Sequence, residues 1–348
     1  MYFPFKNYFI LYSVSCIVAF IFLVLYIPLA WILGPLLVVM FIQIFTKLDM
    51  VLHPALKNVS FVITGVQIGA TFTASTLGKV IPYFIPFLFF TFLIIGICII
   101  SGMLLSKYSS IKTSTSVLGS VPGGLSVMVA MSDSYNANTG LVAIFHTIRL
   151  LTVIFIVPFL ATILFAKSET IQEIHTSNTL SGPWWTVLIY FVTIWIAYLF
   201  RNKVPASFVL IPMFIIALIY IIDFPIIDVH PSLYHFAQLT IGIHLGLSIK
   251  LHDLKIAGKI TWLFIVFSCF IILLSIVFGY IFSYFSELTA ATAILSLAPG
   301  GLVEMAITAN EVEADPAIVG SLQLFRMLFI ILLLPIILKK YGLIKSEQ

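Results

Sequence analysis

Twelve apolar stretches, separated by short polar breaks, run along the chain at about 8–27, 28–46, 57–77, 82–105, 113–131, 139–166, 184–200, 205–222, 232–250, 259–285, 289–309 and 316–338. Most reach the roughly 20 residues that cross about 30 Å of hydrocarbon as a helix, so the pattern predicts an all-α polytopic membrane protein. The first stretch follows Lys6, but no small-residue cleavage site comes after it, and it reads as a membrane span rather than a leader. Two stretches are interrupted. "GSVPGGLSVM" at 119–128 and "LAPGGLVEM" at 297–305 each place a proline and two glycines, the poorest helix formers, in the middle of an apolar run.

Laid on one another, Pro122 and Pro299 define an offset of 177 residues, and the same register then matches much of the chain without a gap. Pro28 falls on Pro205, Pro35 on Pro212, Gly65 on Gly242, Gly69 on Gly246 and Gly102 on Gly279. Further along, Met128 meets Met305, Arg149 meets Arg326 and Pro158 meets Pro335. The chain therefore reads as two homologous membrane repeats, 1–170 and 171–348, joined through the polar stretch 167–183.

Loop charge bears on how the repeats are oriented. If all twelve stretches crossed, Arg201, Lys203, Lys250, Lys255 and Lys259 would lie outside, against the positive-inside rule. If the two Pro-Gly-Gly stretches enter and leave on one side, these residues fall inside with Lys47, Lys57, Lys107, Lys112, Lys339, Lys340 and Lys345. The acidic Asp223, Asp228, Glu287, Glu311, Glu313 and Asp315 then fall outside, with Lys79 and Lys167 as exceptions. The favoured architecture is about ten transmembrane helices plus two re-entrant or broken Pro-Gly-Gly segments, as two inverted repeats with both termini cytoplasmic.

A re-entrant tip leaves backbone groups free, because proline has no N–H and glycine permits positive φ. Within a bilayer such groups are tolerated inside protein or facing a water-filled cavity. Pro122, Gly123, Gly124, Pro299, Gly300 and Gly301 are accordingly candidate substrate- or ion-binding positions, with helix kinks that ease packing as the plainer reading. Arg149 and Arg326 lie deep in the last stretch of each half, with His146 and Gln323 three residues earlier on the same face. An arginine there either holds an anionic group of a substrate or locks the tip by bonding its loose carbonyls or pairing with Glu304. Glu304 breaks the repeat, since its counterpart is Val127, and a carboxylate at this depth is a candidate proton or cation site. Gln67, in a stripe with Ser60, Thr64, Thr71 and Ser75, and His244, with Thr240 and Ser248, flank the two G-x-x-x-G pairs. They either line a cavity or make bonds between helices.

Composition narrows the function. Of the 348 residues 61% are hydrophobic and 9% charged, and mean hydropathy is +1.19. There is no polar stretch long enough for a soluble catalytic or nucleic-acid-binding module, so the formal charge of +4 does not point to DNA. Cys16, Cys98 and Cys269 lie far apart in apolar stretches without a C-x-x-C, and the seven histidines show no H-x-x-x-H, so neither a disulfide framework nor a metal site is expected. A Walker A motif is absent.

Two PGGL segments, one running on into "VEM", within a duplicated polytopic chain resemble the AbrB family of bacterial membrane proteins. The resemblance covers essentially the whole chain, with the Pro-Gly-Gly motifs as its specific part. It implies kinship with the cation:proton antiporter and anion transporter superfamily, whose folds are inverted repeats with interrupted helices. It points to Pro122, Gly123, Gly124, Pro299, Gly300, Gly301 and Glu304. Family members also carry labels of ammonia monooxygenase or regulator of gene expression.

The expectation is therefore a secondary transporter in the bacterial cytoplasmic membrane, moving a small polar or anionic solute with H⁺ or Na⁺. No catalytic residue, cofactor or nucleic-acid partner is expected. Its partners are the lipid bilayer, the solute or ion and, as a candidate, a second copy of the chain. The alternatives are a membrane-embedded oxidoreductase and a membrane protein that influences gene expression indirectly.

Overall fold

The computed structural model describes residues 5–46, 52–72, 74–109, 111–124, 128–129, 131–132, 135–165, 182–201, 203–204, 206–248, 258–312 and 314–340. All regular structure among them is helical. In chain order the helices are α1 (Phe5–Val24), α2 (Ala30–Thr46), α3 (Pro54–Gly69), α4 (Ala74–Tyr108), α5 (Thr113–Ser120), α6 (Thr139–Phe165), α7 (Val187–Leu199), α8 (Ser207–Ile221), α9 (Pro231–Ser248), α10 (Lys259–Tyr284), α11 (Ala290–Leu297), α12 (Leu302–Glu311) and α13 (Pro316–Lys340). Each apolar stretch of the sequence becomes a helix except the two with Pro-Gly-Gly, where α5 stops at Ser120 and the second stretch splits into α11 and α12.

Among the described residues, four helical segments are long and apolar enough to cross a membrane: Val80–Tyr108, Thr139–Phe165, Ile260–Tyr284 and Pro316–Leu334. Four shorter apolar ones are Tyr8–Val24, Ala30–Gln43, Trp184–Leu199 and Ser207–Ile221. Large apolar side chains face outward along these helices, among them Phe9, Ile17, Ile85, Ile163, Phe191, Trp262 and Leu332. A surface this continuously apolar is stable in hydrocarbon and not in water.

The chain packs into two compact units, and compactness divides it differently from sequence repetition. One unit takes Met1–Gly78, Ala161–Leu251 and Asn310–Ala317; the other takes Lys79–Leu160, His252–Ala309 and Ile318–Gln348. Each draws on both halves of the sequence.

In the first unit α2 packs on α1 and α9, and α3 on α8 and α9. The glycines of the two G-x-x-x-G pairs make this possible. A Cβ at Gly65 would strike the carbonyl of Val209 on α8, and one at Gly242 would strike the carbonyl of Ile32 on α2. One turn on, Gly69 faces the Met213 carbonyl at 2.6 Å from its Cβ position, and Gly246 faces that of Leu36 at 3.0 Å. These four contacts are two pairs in the 177-residue register, since 32 matches 209 and 36 matches 213. The starts of α2 and α8 agree as well. Leu29 and Ala206, which follow the matched prolines 28 and 205, both adopt left-handed backbone, with φ of 52° and 49°.

In the second unit α4, α10 and α13 surround the broken helices. Phe87, Cys98, Leu118, Val121, Met128, Phe282, Leu297 and Leu322 form its main core, and Phe145 of α6 stacks on Phe264 of α10. Gly102 and Gly279 repeat the close-approach theme: their Cβ positions would meet Val117 and Ile294, again a matched pair.

Candidate functional site: two broken helices and their basic brackets

Proline dictates where each helix breaks. Pro122 and Pro299 lack the N–H that would continue α5 and α11, and the residue before a proline is pushed out of the helical region. Val121 and Ala298 are extended accordingly, at φ −70°, ψ 131° and φ −57°, ψ 139°. Carbonyls of the last turn and of the tip are thereby left without helical partners inside the core, a costly arrangement unless other donors reach them.

Basic and amide side chains supply those donors. At the second break, Arg326 of α13 donates from Nη1 to the Leu297 and Ala298 carbonyls at 3.3 and 2.5 Å, and from Nη2 to that of Gly300 at 2.7 Å. Arg326 Nη2 also donates to Gln323 Oε1. Gln323 Nε2 donates to the Leu295 and Ala298 carbonyls at 2.8 and 3.1 Å. At the first break, Arg149 of α6 donates from Nη1 to Val121 at 2.9 Å and from Nη2 to Gly123 at 3.0 Å. His146 donates from Nε2 to the Leu118 carbonyl at 3.0 Å, which fixes its tautomer because a carbonyl only accepts. Every one of these acceptors at the first break has its counterpart in the second, 118 with 295, 121 with 298 and 123 with 300. Of the two roles the sequence leaves open for the arginines, the geometry displays the locking one. The fork-shaped guanidinium suits it, since several donors converge on neighbouring acceptors.

The tip glycines serve a different purpose from the one expected. Positive φ is absent at Gly123, Gly124, Gly300 and Gly301; among the described residues Gly258 is the glycine that has it. Crowding is the reason instead. The side chain of Met128 folds over Gly123 and that of Met305 over Gly300, where the methionine Cε would lie 2.6 Å from an added Cβ. Gly124 has nothing within 4 Å of its Cβ position. Gly301 is covered by the carboxylate of Glu304. Pro122 and Pro299 are both buried.

Glu304 is in the first turn of α12 and only 9% exposed. The hydrogen bonds of Arg326 go to carbonyls and to Gln323, so the salt bridge with Glu304 is not the arrangement seen. Its counterpart Val127 lies outside the described residues, as does the side chain of Ser75.

Gln67 and His244 belong to the first unit, apart from this constellation. Both are half-buried, and the His244 ring meets Phe61 edge-on at 6.0 Å. Most hydroxyls of the two polar stripes bond back to their own helices: Thr64 to Ser60, Thr71 to Ile68 and Ser248 to Leu245. Thr240 also reaches Tyr12 of α1 at 3.1 Å. Among the described residues no group of three or more His, Cys, Asp or Glu gathers as metal ligands do.

Sequence reasoning overlooked Met128 and Met305 as fillers of the glycine spaces, although their match in the repeat was a signal. It also passed over Glu311 as more than a loop charge. Glu311 Oε2 accepts the Leu29 N–H at 2.6 Å, capping the entrance to α2 within the first unit.

An apolar helical protein with two helices broken at matched prolines, each bracketed by deep basic and amide side chains, is a membrane protein organised around interrupted helices. The chain belongs to the AbrB family: the family described as transition state regulatory protein AbrB matches residues 31–342. The YhjN protein of Bacillus subtilis (strain 168) is 25% identical over 334 residues, covering 89% of this chain and 86% of that protein. An Escherichia coli (strain K12) protein that carries the name of regulator AbrB is 27% identical over 334 residues, covering 91% of each. No solved structure matches the chain.

Proposed function

We propose that the chain is a secondary transporter of the bacterial cytoplasmic membrane, carrying a small polar or anionic solute together with H⁺ or Na⁺. In this reading residues 1–170 and 171–348 are inverted repeats, with about ten spans, two re-entrant segments and cytoplasmic termini. The observation that carries it is the pair of broken helices, kept interrupted inside the core by Arg149 and Arg326 at matched positions. Backbone interrupted in hydrocarbon costs free energy, and membrane proteins that keep it use the freed amides and carbonyls to hold solutes or ions. The chemistry is binding and release rather than catalysis. The regulator name of the E. coli relative fits this reading if the solute carried alters gene expression at a distance.

Counterflow into proteoliposomes tests it. Purified protein is screened with labelled carboxylates, amino acids, sugars and phosphate esters. At least one class should exchange, and an imposed H⁺ or Na⁺ gradient should drive its accumulation. Exchange of no class, together with stoichiometric copper or iron in the purified protein, would turn the reading toward the membrane oxidoreductase.

A further inference from the structure

The matched brackets leave one group unexplained, a carboxylate where the first half has valine. Glu304 is the third residue of α12, and its Oε2 occupies the space that a Cβ at position 301 would take. The carboxylate lies against the backbone amide of its own residue. The first N–H groups of a helix lack intrahelical acceptors and carry the positive end of the dipole, which is where anions bind. A carboxylate nine-tenths buried is therefore already seated in the anion position of α12, and glycine at 301 is what makes the space for it. Among the described residues, the charged and titratable groups around the buried breaks of this unit include Arg326 on α13, Arg149 and His146 on α6 and Cys98 on α4. Both guanidiniums direct their Nη donors to tip carbonyls or Gln323, leaving the Glu304 carboxylate to the helix start.

Building on the transport reading, we infer that the start of α12 is the subsite for a small monoanionic group, such as a carboxylate, and that Glu304 is its resident competitor. Two anions do not share one set of amides, because they repel at contact distance. The incoming anion binds when the Glu304 carboxylate has taken one proton from the aqueous side, becoming a neutral carboxyl that releases the amides. On the way out the proton returns to water as the carboxylate reseats. One proton thus accompanies one monoanion, and the cycle moves no net charge. This assigns coupling to competition at a helix start rather than to an ion pair with Arg326.

Chemical rescue tests the inference on full-length protein in detergent, with formate as the probe and chloride at equal ionic strength as the control. Glu304→Ala empties the seat, and formate should raise its unfolding midpoint saturably, by on the order of 5 °C. Wild-type protein should show no such shift at neutral pH and should gain it as the pH is lowered. Adding Gly301→Ala to Glu304→Ala puts a methyl group in the seat and should abolish the rescue. If Glu304→Ala does not fold, Glu304→Gln keeps the side chain's shape without its charge and should still bind formate better than wild type at neutral pH. A shift equal to that with chloride, an equal shift in wild type at neutral pH, or rescue that survives the second substitution would overturn the competition. Counterflow separates this from the transport reading: flux without rescue removes the resident competitor, whereas rescue without flux leaves an anion site in a protein that does not transport.

Discussion

The two helix breaks share a register but not a degree of closure. At the second, Arg326 and Gln323 reach five carbonyl contacts between them and bond to each other, and Glu304 occupies the start of the following helix. At the first, Arg149 and His146 make three, and the Arg149 Nε and His146 Nδ1 are buried without a hydrogen-bond partner among the described residues. A buried donor or acceptor left unmade costs about 1–3 kcal/mol, so the first break is the less settled of the two. The two breaks show one device at positions matched in the 177-residue register. The difference between His146 and Gln323 leaves the second bracket bonded within itself, while the first keeps unused bonding capacity.

Removing the brackets should show the largest difference. Arg326→Gln strands the carbonyls of Leu297 and Gly300, leaves Ala298 to Gln323 alone, removes the donor to Gln323 Oε1, and should cost about 3–5 kcal/mol, close to loss of folded protein. Arg149→Gln strands two carbonyls and should cost about 2 kcal/mol. Thermal unfolding in detergent measures both, and equal losses would erase the distinction. A middle-sized effect is expected at the glycines. Gly123→Ala and Gly300→Ala push against Met128 and Met305 and should each cost about 1–3 kcal/mol, whereas Gly124→Ala should stay within about 0.5 kcal/mol. A penalty at Gly124 as large as at Gly300 would mean that tip shape, rather than methionine crowding, sets the requirement. The smallest effect comes from making the breaks alike. His146→Gln gives the first break the amide of the second and should raise stability by about 1 kcal/mol by removing an orphaned ring nitrogen. A fall in stability would show that the imidazole already has a use for Nδ1.

Much of this was legible in the sequence because hydrophobic period and proline act locally. Most apolar stretches became helices within a few residues of their expected ends, although the third stops at Gly69 rather than 77 and the fourth starts at Ala74 rather than 82, and Pro122 and Pro299 fixed the breaks through rules that concern only a residue and its neighbour. The repeat register carried information about contacts too, since matched residues make matched bonds. What it did not show was how the chain would sort itself in space, with each compact unit assembled from both halves. That depends on which glycine faces which helix, as with Gly65 on Val209. A sequence gives the same Gly-x-x-x-Gly whether the partner is adjacent or distant. The role of the tip glycines was misread for a related reason: φ is a property of one residue, but the crowding by Met128, Met305 and Glu304 belongs to the folded neighbourhood.

The crossed glycine contacts also set a clock for biogenesis. Gly65 waits for Val209 and Gly242 docks back on Ile32, so α3 reaches the membrane long before the surface that completes it has been made. At about 5–20 residues per second of synthesis, the roughly 140 residues between Gly65 and Val209 correspond to about 7–30 s. During that interval the groove on α3 is covered by lipid, by the insertion machinery or by a neighbouring nascent chain. Ribosome pausing within the second half would lengthen the exposure, and the first half of the protein, released alone, would be a substrate for quality control.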